Sequence, residues 1–299
     1  MFPDSCMNPS KTPPNAVCLV CAAPAGHCGS KGQYHFYRCG ACGLLFVWPL
    51  PGDNLDLYSE DYFAGAEAGF GYVDYDQDKA AMASTFEAYL ALLASGRPGR
   101  GALLDVGAAT GFFLELARAD GWNSRGIEPS HYASRIAKKK GLAVDCGVVE
   151  ELTLPDASFD VVTMWDVIEH LPDPRRSLAA VFRLLHPNGT LAVNTPDSGS
   201  LLARVLGLRW HLVVPPEHLV LFSQKSLRLL LEEAGFEVTL VRRIGKRFTI
   251  QYVLETLARW QGLRLWRQAE EMSRRWGVGK WGIGINLRDN MFLLARKAR

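Results

Sequence analysis

Short apolar runs alternate with longer amphipathic segments from residue 102 onward. Apolar runs of strand length lie at residues 102–106, 124–127, 143–145, 159–165, 190–194, 236–242 and 291–295. Segments with helical character lie between them at residues 111–120, 131–140, 173–186 and 226–234. Strands that alternate with helices predict an α/β fold with a doubly wound, mostly parallel, seven-stranded sheet of the Rossmann-like type.

The pattern divides the chain into three segments. Residues 1–50 hold a Pro- and Ser-rich tail and then a cysteine cluster, and residues 51–100 hold an aromatic linker and a packing helix predicted over 78–94. Residues 101–299 form the main domain, with a helical insertion at about 246–285 that reads as helix over 246–276. The linker aromatics, which we expect to pack on the main domain, are Tyr58, Tyr62, Phe63, Phe70, Tyr72 and Tyr75.

Composition and charge narrow the function classes. Hydrophobic residues make up 48% of the 299 residues, enough for a packed core, and the formal net charge is +2. This near-neutral balance disfavours a nucleic-acid partner. Because the sequence shows neither a signal peptide nor an apolar run long enough to span a bilayer, we expect a cytoplasmic protein.

The cysteines predict a metal site. Six of the seven fall within the first 42 residues, and two C-x-x-C pairs, Cys18/Cys21 and Cys39/Cys42, have residues 22–38 between them. This spacing is typical of structural zinc sites in which four thiolates surround the ion. Cys6 and Cys28 lie outside the pattern and are predicted to be free.

The first strand of the main domain ends in a turn of small residues. Gly107 and Gly111 bracket this turn, and their G-x-x-x-G spacing departs from the dinucleotide fingerprint. Small residues let a ligand approach the backbone, and the N–H groups at the helix start can bind a carboxylate. Glu128, at the end of the second strand, can accept hydrogen bonds from ribose hydroxyls. A nucleoside that carries a carboxylate fits these features.

Four motifs in order carry a family resemblance. D-V-G-x-x-x-G, G-I-E-P-S, F-D-V-V-T-M-W-D-V-I-E-H-L and H-P-N-G-T-L, within residues 100–243, resemble class I S-adenosylmethionine-dependent methyltransferases. The resemblance implies that residues 107–111 hold the methionine part, Glu128 the ribose, and Trp165 and Asp166 close the site. The cofactor-binding residues it implies are Asp105, Gly107, Ala108, Ala109, Thr110, Gly111, Phe112, Glu128, Pro129, Ser130, Val149, Glu150, Trp165 and Asp166.

The N-terminal segment carries a second resemblance. The two C-x-x-C pairs, the segment Y-R-C-x-x-C-G-L-L-F over residues 37–46 and the P-L-P at residues 49–51 resemble the zinc-ribbon head of certain bacterial methyltransferases. Those enzymes act on small molecules, often sugars or glycan and natural-product intermediates. The resemblance therefore implies a zinc ribbon on a small-molecule methyltransferase.

Acid and imidazole groups follow the fourth strand, where the reacting methyl group is expected. Asp166, Glu169 and His170 would share one face if the stretch were helical. His170 is a candidate base, since imidazole titrates near neutral pH, although it could instead fix the loop through a backbone hydrogen bond. His218 is a second candidate. By resemblance to small-RNA 2′-O-methyltransferases, Asp166, Glu169, His170 and His218 could alternatively hold a divalent ion.

The sequence does not identify the methyl acceptor. The leading expectation is a sugar, glycan-linked or secondary-metabolite hydroxyl. E-H-x-P-D-P at residues 169–174 also resembles lipid-quinone O-methyltransferases, and a non-catalytic scaffold that binds partners through the ribbon is a third alternative. Tryptophans in the second half could line an apolar pocket, contact a membrane surface peripherally or simply pack in the core: Trp210, Trp260, Trp266, Trp276 and Trp281.

Overall fold

The computed structural model describes residues 16–51, residue 63 and residues 75–298. The tail with Cys6 and the linker residues Tyr58, Tyr62, Phe70 and Tyr72 lie outside the described residues. Phe63 is buried beside Ala109 and Ala133.

Four short strands form the N-terminal part: β1 (Ala16–Val17), β2 (Pro24–Lys31), β3 (Tyr34–Cys39) and β4 (Leu45–Val47). Each strand pairs antiparallel with the next. Two helices follow, α1 (Tyr75–Ala81) and α2 (Ala83–Gly96), where the sequence predicts one helix over 78–94. The break falls at Met82, which is buried in the core.

The main domain alternates strands and helices as predicted. Its first part contains β5 (Ala102–Val106), α3 (Phe112–Ala119), β6 (Asn123–Glu128), α4 (His131–Lys139), β7 (Val144–Cys146), β8 (Phe159–Trp165), α5 (Pro174–Leu184) and β9 (Leu185–Pro196). Its second part contains α6 (Leu201–Leu206), β10 (Val220–Leu221), α7 (Gln224–Glu233), β11 (Phe236–Arg242), β12 (Lys246–Thr249), α8 (Ile250–Gln261), α9 (Arg264–Arg275), β13 (Gly282–Ile285) and β14 (Asn290–Lys297).

Seven of these strands form the central sheet, in the order β11-β14-β9-β8-β5-β6-β7. The strands from β5 to β9 run parallel, while β14 is antiparallel to both of its neighbours. Leu104, Val162 and Leu191 lie in adjacent strands and are completely buried, as expected for a sheet covered by helices on both faces. The predicted α/β fold with a seven-stranded, mostly parallel sheet is confirmed.

Helix boundaries follow local capping. The Asp173 side chain accepts a hydrogen bond from the backbone N–H of Arg176 at 3.1 Å, and Pro174 occupies the first turn of α5. The Ser130 hydroxyl likewise caps α4 by accepting from Ala133 N. Both helices therefore begin beside the carboxyl end of the sheet.

The insertion departs from the sequence expectation. Residues 246–249, predicted to begin a helix, form β12, which pairs antiparallel with β13. The two strands frame α8 and α9. Local periodicity missed β12 because its partner lies more than thirty residues later in the chain.

The N-terminal strands are joined to the main domain by backbone pairing. β10 pairs antiparallel with β4, so that a five-stranded sheet runs in the order β1-β2-β3-β4-β10. The division of the chain at residues 50 and 100 remains a prediction. Among the helices of the described segments, none combines the length and apolar character that crossing a bilayer requires.

Candidate active site

A cavity of about 1320 Å³ opens at the carboxyl ends of β5, β6 and β8. Ligands of doubly wound folds bind at this edge of the sheet. Eight of the predicted cofactor residues line it: Gly107, Ala109, Glu128, Pro129, Val149, Glu150, Trp165 and Asp166. The other six are not among the lining residues: Asp105, Ala108, Thr110, Gly111, Phe112 and Ser130.

The turn after β5 requires glycine at both ends. Gly107 has a φ of +75°, and a Cβ there would lie 2.6 Å from Val167 Cγ2. Gly111 has a φ of +86°, and a Cβ there would lie 2.2 Å from Leu142 Cδ1. Both positions are therefore closed to larger residues by backbone conformation and by packing.

Glu128 is fixed by two backbone donors. Its Oε2 accepts from Ala109 N and its Oε1 accepts from Ser130 N, each at 2.8 Å. Burial raises the pKa of Glu128 to about 7, against the opposing effect of these two hydrogen bonds. The arrangement joins the glycine turn to the end of β6 and holds a carboxylate at the cavity wall.

Three of the predicted residues that do not line the cavity instead support the turn. The Asp105 carboxylate accepts from Thr163 Oγ1 at 2.6 Å, and burial raises the pKa of Asp105 to about 7. The Thr110 hydroxyl donates to Asp76 of α1. Ser130 caps α4. These contacts position the backbone that the cavity presents.

Asp166 lies at the centre of a buried polar network. Lys246 Nζ lies 2.7 Å from both carboxylate oxygens, and Asn194 Nδ2 donates to Oδ1 at 2.7 Å. Tyr89 in turn donates to Asn194 Oδ1 at 3.0 Å. Burial acts to raise the pKa of Asp166, but the charges of Lys246 and Lys79 outweigh it and hold this pKa below its ordinary value. Asp166 is therefore an ionised, paired group.

Glu169, His170 and His218 form a separate cluster, in which one ligand atom from each residue lies within 4.8 Å of the others. His170 Nδ1 lies 2.8 Å from Glu217 O, and His218 Nδ1 lies 2.6 Å from Leu212 O. Because a carbonyl oxygen only accepts, each Nδ1 carries the proton, which leaves Nε2 as the unprotonated nitrogen.

We call Glu169, His170 and His218 the acceptor-side cluster. Burial controls the protonation of its three side chains. It raises the pKa of Glu169 to about 7 and lowers the pKa values of His170 and His218 to about 4. Glu169 Oε2 accepts from Thr195 Oγ1 at 2.8 Å, whereas Oε1 is buried without a hydrogen-bond partner among the described residues. The cluster thus presents a carboxylate oxygen and two neutral imidazoles.

The four-residue ion site predicted from the sequence is reduced to three residues. Asp166 leaves the set because Lys246 neutralises its carboxylate. The assumed helical spacing also fails at Asp166, which has a φ of +54° and precedes a single 3₁₀ turn over Ile168–His170. The left-handed residue turns the chain between Asp166 and the acceptor-side cluster.

Part of the cavity lining is apolar or aromatic and includes Leu202, Leu212, Phe248, Tyr252, Val253 and Trp260. Phe248 and Tyr252 stack with ring centres 5.2 Å apart. Thr256 Oγ1 is a buried hydroxyl with no partner among the described residues. These side chains suit the apolar portion of a ligand.

The tryptophans of the second half of the chain lie in different environments. Trp260 lines the cavity, Trp210 is fully buried and donates to Asp289 at 2.9 Å, and Trp276 and Trp281 are exposed. Sequence patterns did not identify Lys246, Asn194 or the cavity-lining Lys31. Their roles arise from tertiary contacts, and no local motif marks them.

The four cysteines of the two C-x-x-C pairs also converge. Cys18 and Cys21 lie on the turn between β1 and β2, and Cys39 and Cys42 on the turn between β3 and β4. All four sulfur atoms lie within 4.8 Å of one another, and the Cys18–Cys42 and Cys21–Cys39 Sγ distances are both 3.5 Å. A tetrahedral zinc ion with 2.3 Å bonds needs sulfur separations of about 3.8 Å, so the thiols fit it.

The two cysteine turns have matching backbone bonds. Cys18 N donates to Ala23 O and Cys39 N donates to Leu44 O, both at 2.9 Å. Burial acts to raise the pKa of the Cys39 thiol, but backbone hydrogen bonds outweigh it and lower that pKa to about 7. Burial raises the pKa of the Cys18 and Cys42 thiols, so the thiolate that is accessible near neutral pH is that of Cys39.

The main domain is similar to known proteins. Residues 77–241, more than half of the chain, match the family described as methyltransferase domain. A ubiquinone biosynthesis O-methyltransferase of Thiobacillus denitrificans is 30% identical over 148 residues, which cover 45% of this chain and 64% of the relative. A malonyl-[acyl-carrier protein] O-methyltransferase of Serratia marcescens is 29% identical over 132 residues, which cover 44% of this chain and 51% of the relative.

These two relatives are matched over only one half to two thirds of their own length. A solved structure, the YcgJ protein of Bacillus subtilis, shares the fold with a TM-score of 0.51 and 16% identity, covering 71% of this chain and 99% of that one. The family match extends over the glycine turn, Glu128 and β8. The chain therefore belongs to the class I S-adenosylmethionine-dependent methyltransferases.

Proposed function

We propose that the protein transfers a methyl group from S-adenosylmethionine to a hydroxyl oxygen of a small molecule with an apolar body. The observation that carries the proposal is the acceptor-side cluster, which lies in the same cavity as Glu128 and the glycine turn. In the reaction the acceptor oxygen forms a bond to the methyl carbon, the sulfur–methyl bond breaks, and the hydroxyl proton leaves. S-Adenosylmethionine supplies an electrophilic methyl group.

The chain's own residues would orient the donor. Glu128, held by two backbone N–H groups, is suited to accept from the ribose hydroxyls, and Val149 and Pro129 offer apolar contacts nearby. Gly107 keeps the backbone accessible to the methionine part. Alignment of donor and acceptor can lower the barrier of a displacement of this kind by about 7–11 kcal/mol.

The acceptor-side cluster would activate the hydroxyl. Its donor set fits a divalent cation, because one ligand atom from each of Glu169, His170 and His218 lies within 4.8 Å of the others, and Glu169 Oε1 is buried without a described partner. A backbone carbonyl accepts from Nδ1 of each histidine. Such carbonyl partners are usual behind metal-binding histidines. A bound cation would polarise the hydroxyl. Without one, Glu169 is the proton acceptor, because its pKa of about 7 matches that role.

The side chains that line the cavity support one class of acceptor. Apolar and aromatic side chains of α8, together with Leu202, Leu212 and Phe248, line part of the cavity, so we favour a hydroxyl on an apolar or aromatic molecule over an unmodified sugar. The O-methyltransferase names of the two relatives support oxygen as the acceptor atom. We further propose that Cys18, Cys21, Cys39 and Cys42 hold a structural zinc ion.

Two measurements test the proposal. Calorimetric titration with S-adenosylhomocysteine should give binding, and labelled S-adenosylmethionine should methylate hydroxyl compounds in a screen that sets catechols and long-chain phenols against free sugars. Transfer should stop after a brief chelator treatment that leaves the measured zinc content of the protein unchanged, and it should return when Mg²⁺ or Mn²⁺ is added. Chelator-resistant transfer would overturn the cation assignment and leave Glu169 as the base. A folded protein that fails to bind S-adenosylhomocysteine would overturn the function.

A further inference from the structure

The cysteine-rich sheet forms part of the cavity wall. Lys31, Gly32 and Tyr34, at the tip of the β2–β3 hairpin, line the cavity together with residues of the main domain. Lys31 Nζ donates to Val213 O at 2.6 Å, and burial lowers the pKa of this amine. The hairpin therefore contacts the loop over residues 207–219, which we call the histidine loop.

The histidine loop supports the acceptor-side cluster. It contains His218, and it supplies both carbonyl oxygens that hold the histidine Nδ1 atoms, Leu212 O for His218 and Glu217 O for His170. Leu219 N, at the end of the loop, donates to Glu169 O at 3.0 Å. All three residues of the acceptor-side cluster are thus bonded to this one loop or belong to it.

A continuous path of contacts joins the cysteines to the histidine loop. Val47 N donates to Leu219 O at 2.9 Å, where β4 meets β10. Ser223 Oγ donates to the carbonyl oxygen of Cys42 at 2.7 Å. Because Cys42 lies on the turn that begins β4, the cysteine turn and the end of the histidine loop are separated by only a few bonds.

Apolar packing reinforces this path. Phe36 and Val47, from β3 and β4, share one buried cluster with Trp210 and Val213 of the histidine loop. All four side chains are at most 1% exposed, so the apolar area that they remove from water stabilises the contact between the sheet and the loop. The histidine loop therefore has the cysteine-rich sheet as a large part of its packing support.

We propose that the cysteine-rich sheet is a positioning element for the acceptor half of the site, and that metal held by its four cysteines fixes the histidine loop and with it Glu169, His170 and His218. The inference rests on the proposed function for the meaning of the cluster. Because the cysteine turns share a buried core cluster with Val106 and Val149, the inference predicts a larger effect of the cysteine metal on the histidine loop than on the cofactor half built from the glycine turn and Glu128.

Cys21→Ser tests the inference, with Cys28→Ser as the matched control. Cys28 lies on the same sheet but outside the four-cysteine group, and its thiol donates to Phe36 O at 3.3 Å, a contact that a serine hydroxyl can keep. Zinc content, amide hydrogen exchange over residues 210–222 and S-adenosylhomocysteine affinity are measured on each full-length protein. Loss of zinc in Cys21→Ser should speed exchange in this segment by about tenfold or more, while the affinity changes by less than about twofold.

The outcomes separate the proposals. Zinc loss with unchanged exchange over residues 210–222 would overturn the positioning role, and so would a parallel loss of S-adenosylhomocysteine affinity, since the metal would then support the whole fold. Failure of the unaltered protein to bind S-adenosylhomocysteine would overturn the proposed function instead. If Cys21→Ser does not fold, zinc is removed from the folded natural chain with a chelator and then restored, and exchange should rise and fall accordingly.

A second pair of variants probes the contact without touching the cysteines. Lys31→Met removes the hydrogen bond to Val213 O, whereas Lys31→Arg keeps a donor at this position. Exchange over residues 210–222 should be faster in Lys31→Met than in the natural chain, whereas in Lys31→Arg it should stay close to the natural rate. Both variants should keep their full zinc content. Equal exchange in the two variants would contradict the role of the hairpin.

Discussion

Replacement of Glu128 by glutamine tests two effects of this carboxylate: the free-energy cost of burying its charge, and its contribution to cofactor binding. The rise in the pKa of Glu128 from 4.5 to about 7 corresponds to about 3 kcal/mol that opposes folding once the group is ionised. Because the pKa is higher in the folded state, the penalty is absent below pH 4.5 and complete above pH 7. Glutamine does not titrate, so the variant should gain about 3 kcal/mol relative to the natural chain between pH 4.5 and pH 8.

Ligand binding should change in the opposite direction. Both oxygens of Glu128 already accept from backbone N–H groups, at Ala109 and Ser130, and their remaining lone pairs are suited to ribose hydroxyls. A glutamine amide presents a donor in place of one oxygen. The loss of a charge-assisted hydrogen bond, about 1.5–3 kcal/mol, should weaken S-adenosylhomocysteine binding by about 10- to 150-fold.

The assays are urea unfolding of both proteins at pH 4.5 and pH 8 and calorimetric titration with S-adenosylhomocysteine. Glu115→Gln is the control, because Glu115 is a partly exposed acid of α3 that pairs with Lys140 at 3.2 Å. It should change stability by less than about 0.5 kcal/mol. Natural affinity in Glu128→Gln would refute the ribose assignment, and a stability difference that does not vary with pH would refute the burial argument.

Three further changes have defined outcomes. Cys18→Ser should lower the zinc content, measured by atomic absorption, and destabilise residues 17–50; full zinc occupancy would contradict the ligand assignment. Lys246→Met should cost about 1.5–3 kcal/mol in urea unfolding, because the partly buried Asp166 carboxylate loses its hydrogen-bonded cation and keeps only the charge of Lys79, and adding Asp166→Asn should recover part of the loss. Without such recovery, charge burial is not the cause. Gly107→Ala should lower stability by about 1–3 kcal/mol, because its Cβ would lie 2.6 Å from Val167. Val167→Ala should relieve part of this effect, and thermal unfolding of the single and double variants measures it.

Local sequence signals predicted the fold well. The segment over residues 159–165 forms a strand with those bounds, because a buried Val-rich run has few alternatives. The glycine turn and Glu128 were placed at one edge because both follow strands of a parallel sheet, and the cavity there contains Gly107 and Glu128. Their roles in binding remain predictions.

The sequence could not predict contacts between distant segments. Lys246 neutralises Asp166 from a strand that itself depends on a later partner, and nothing in the neighbourhood of either residue indicates the pair. The two-residue strand β10 is too short for any periodicity, yet it decides where the cysteine-rich sheet attaches. Asp166 adopts a left-handed backbone conformation within the network of Asn194 and Lys246; aspartate tolerates this conformation better than most residues, but the local sequence does not indicate that it occurs here.

The pairing of β4 with β10 has a consequence for biosynthesis. The ribosome releases β4 long before it has translated β10, so the nascent chain carries β4 as an unpaired edge strand for much of its synthesis. The cysteine turns, which are local in sequence, can close around an ion during this interval. The histidine loop must then dock onto a surface that has already formed, and cellular zinc availability would influence the yield of folded enzyme during translation.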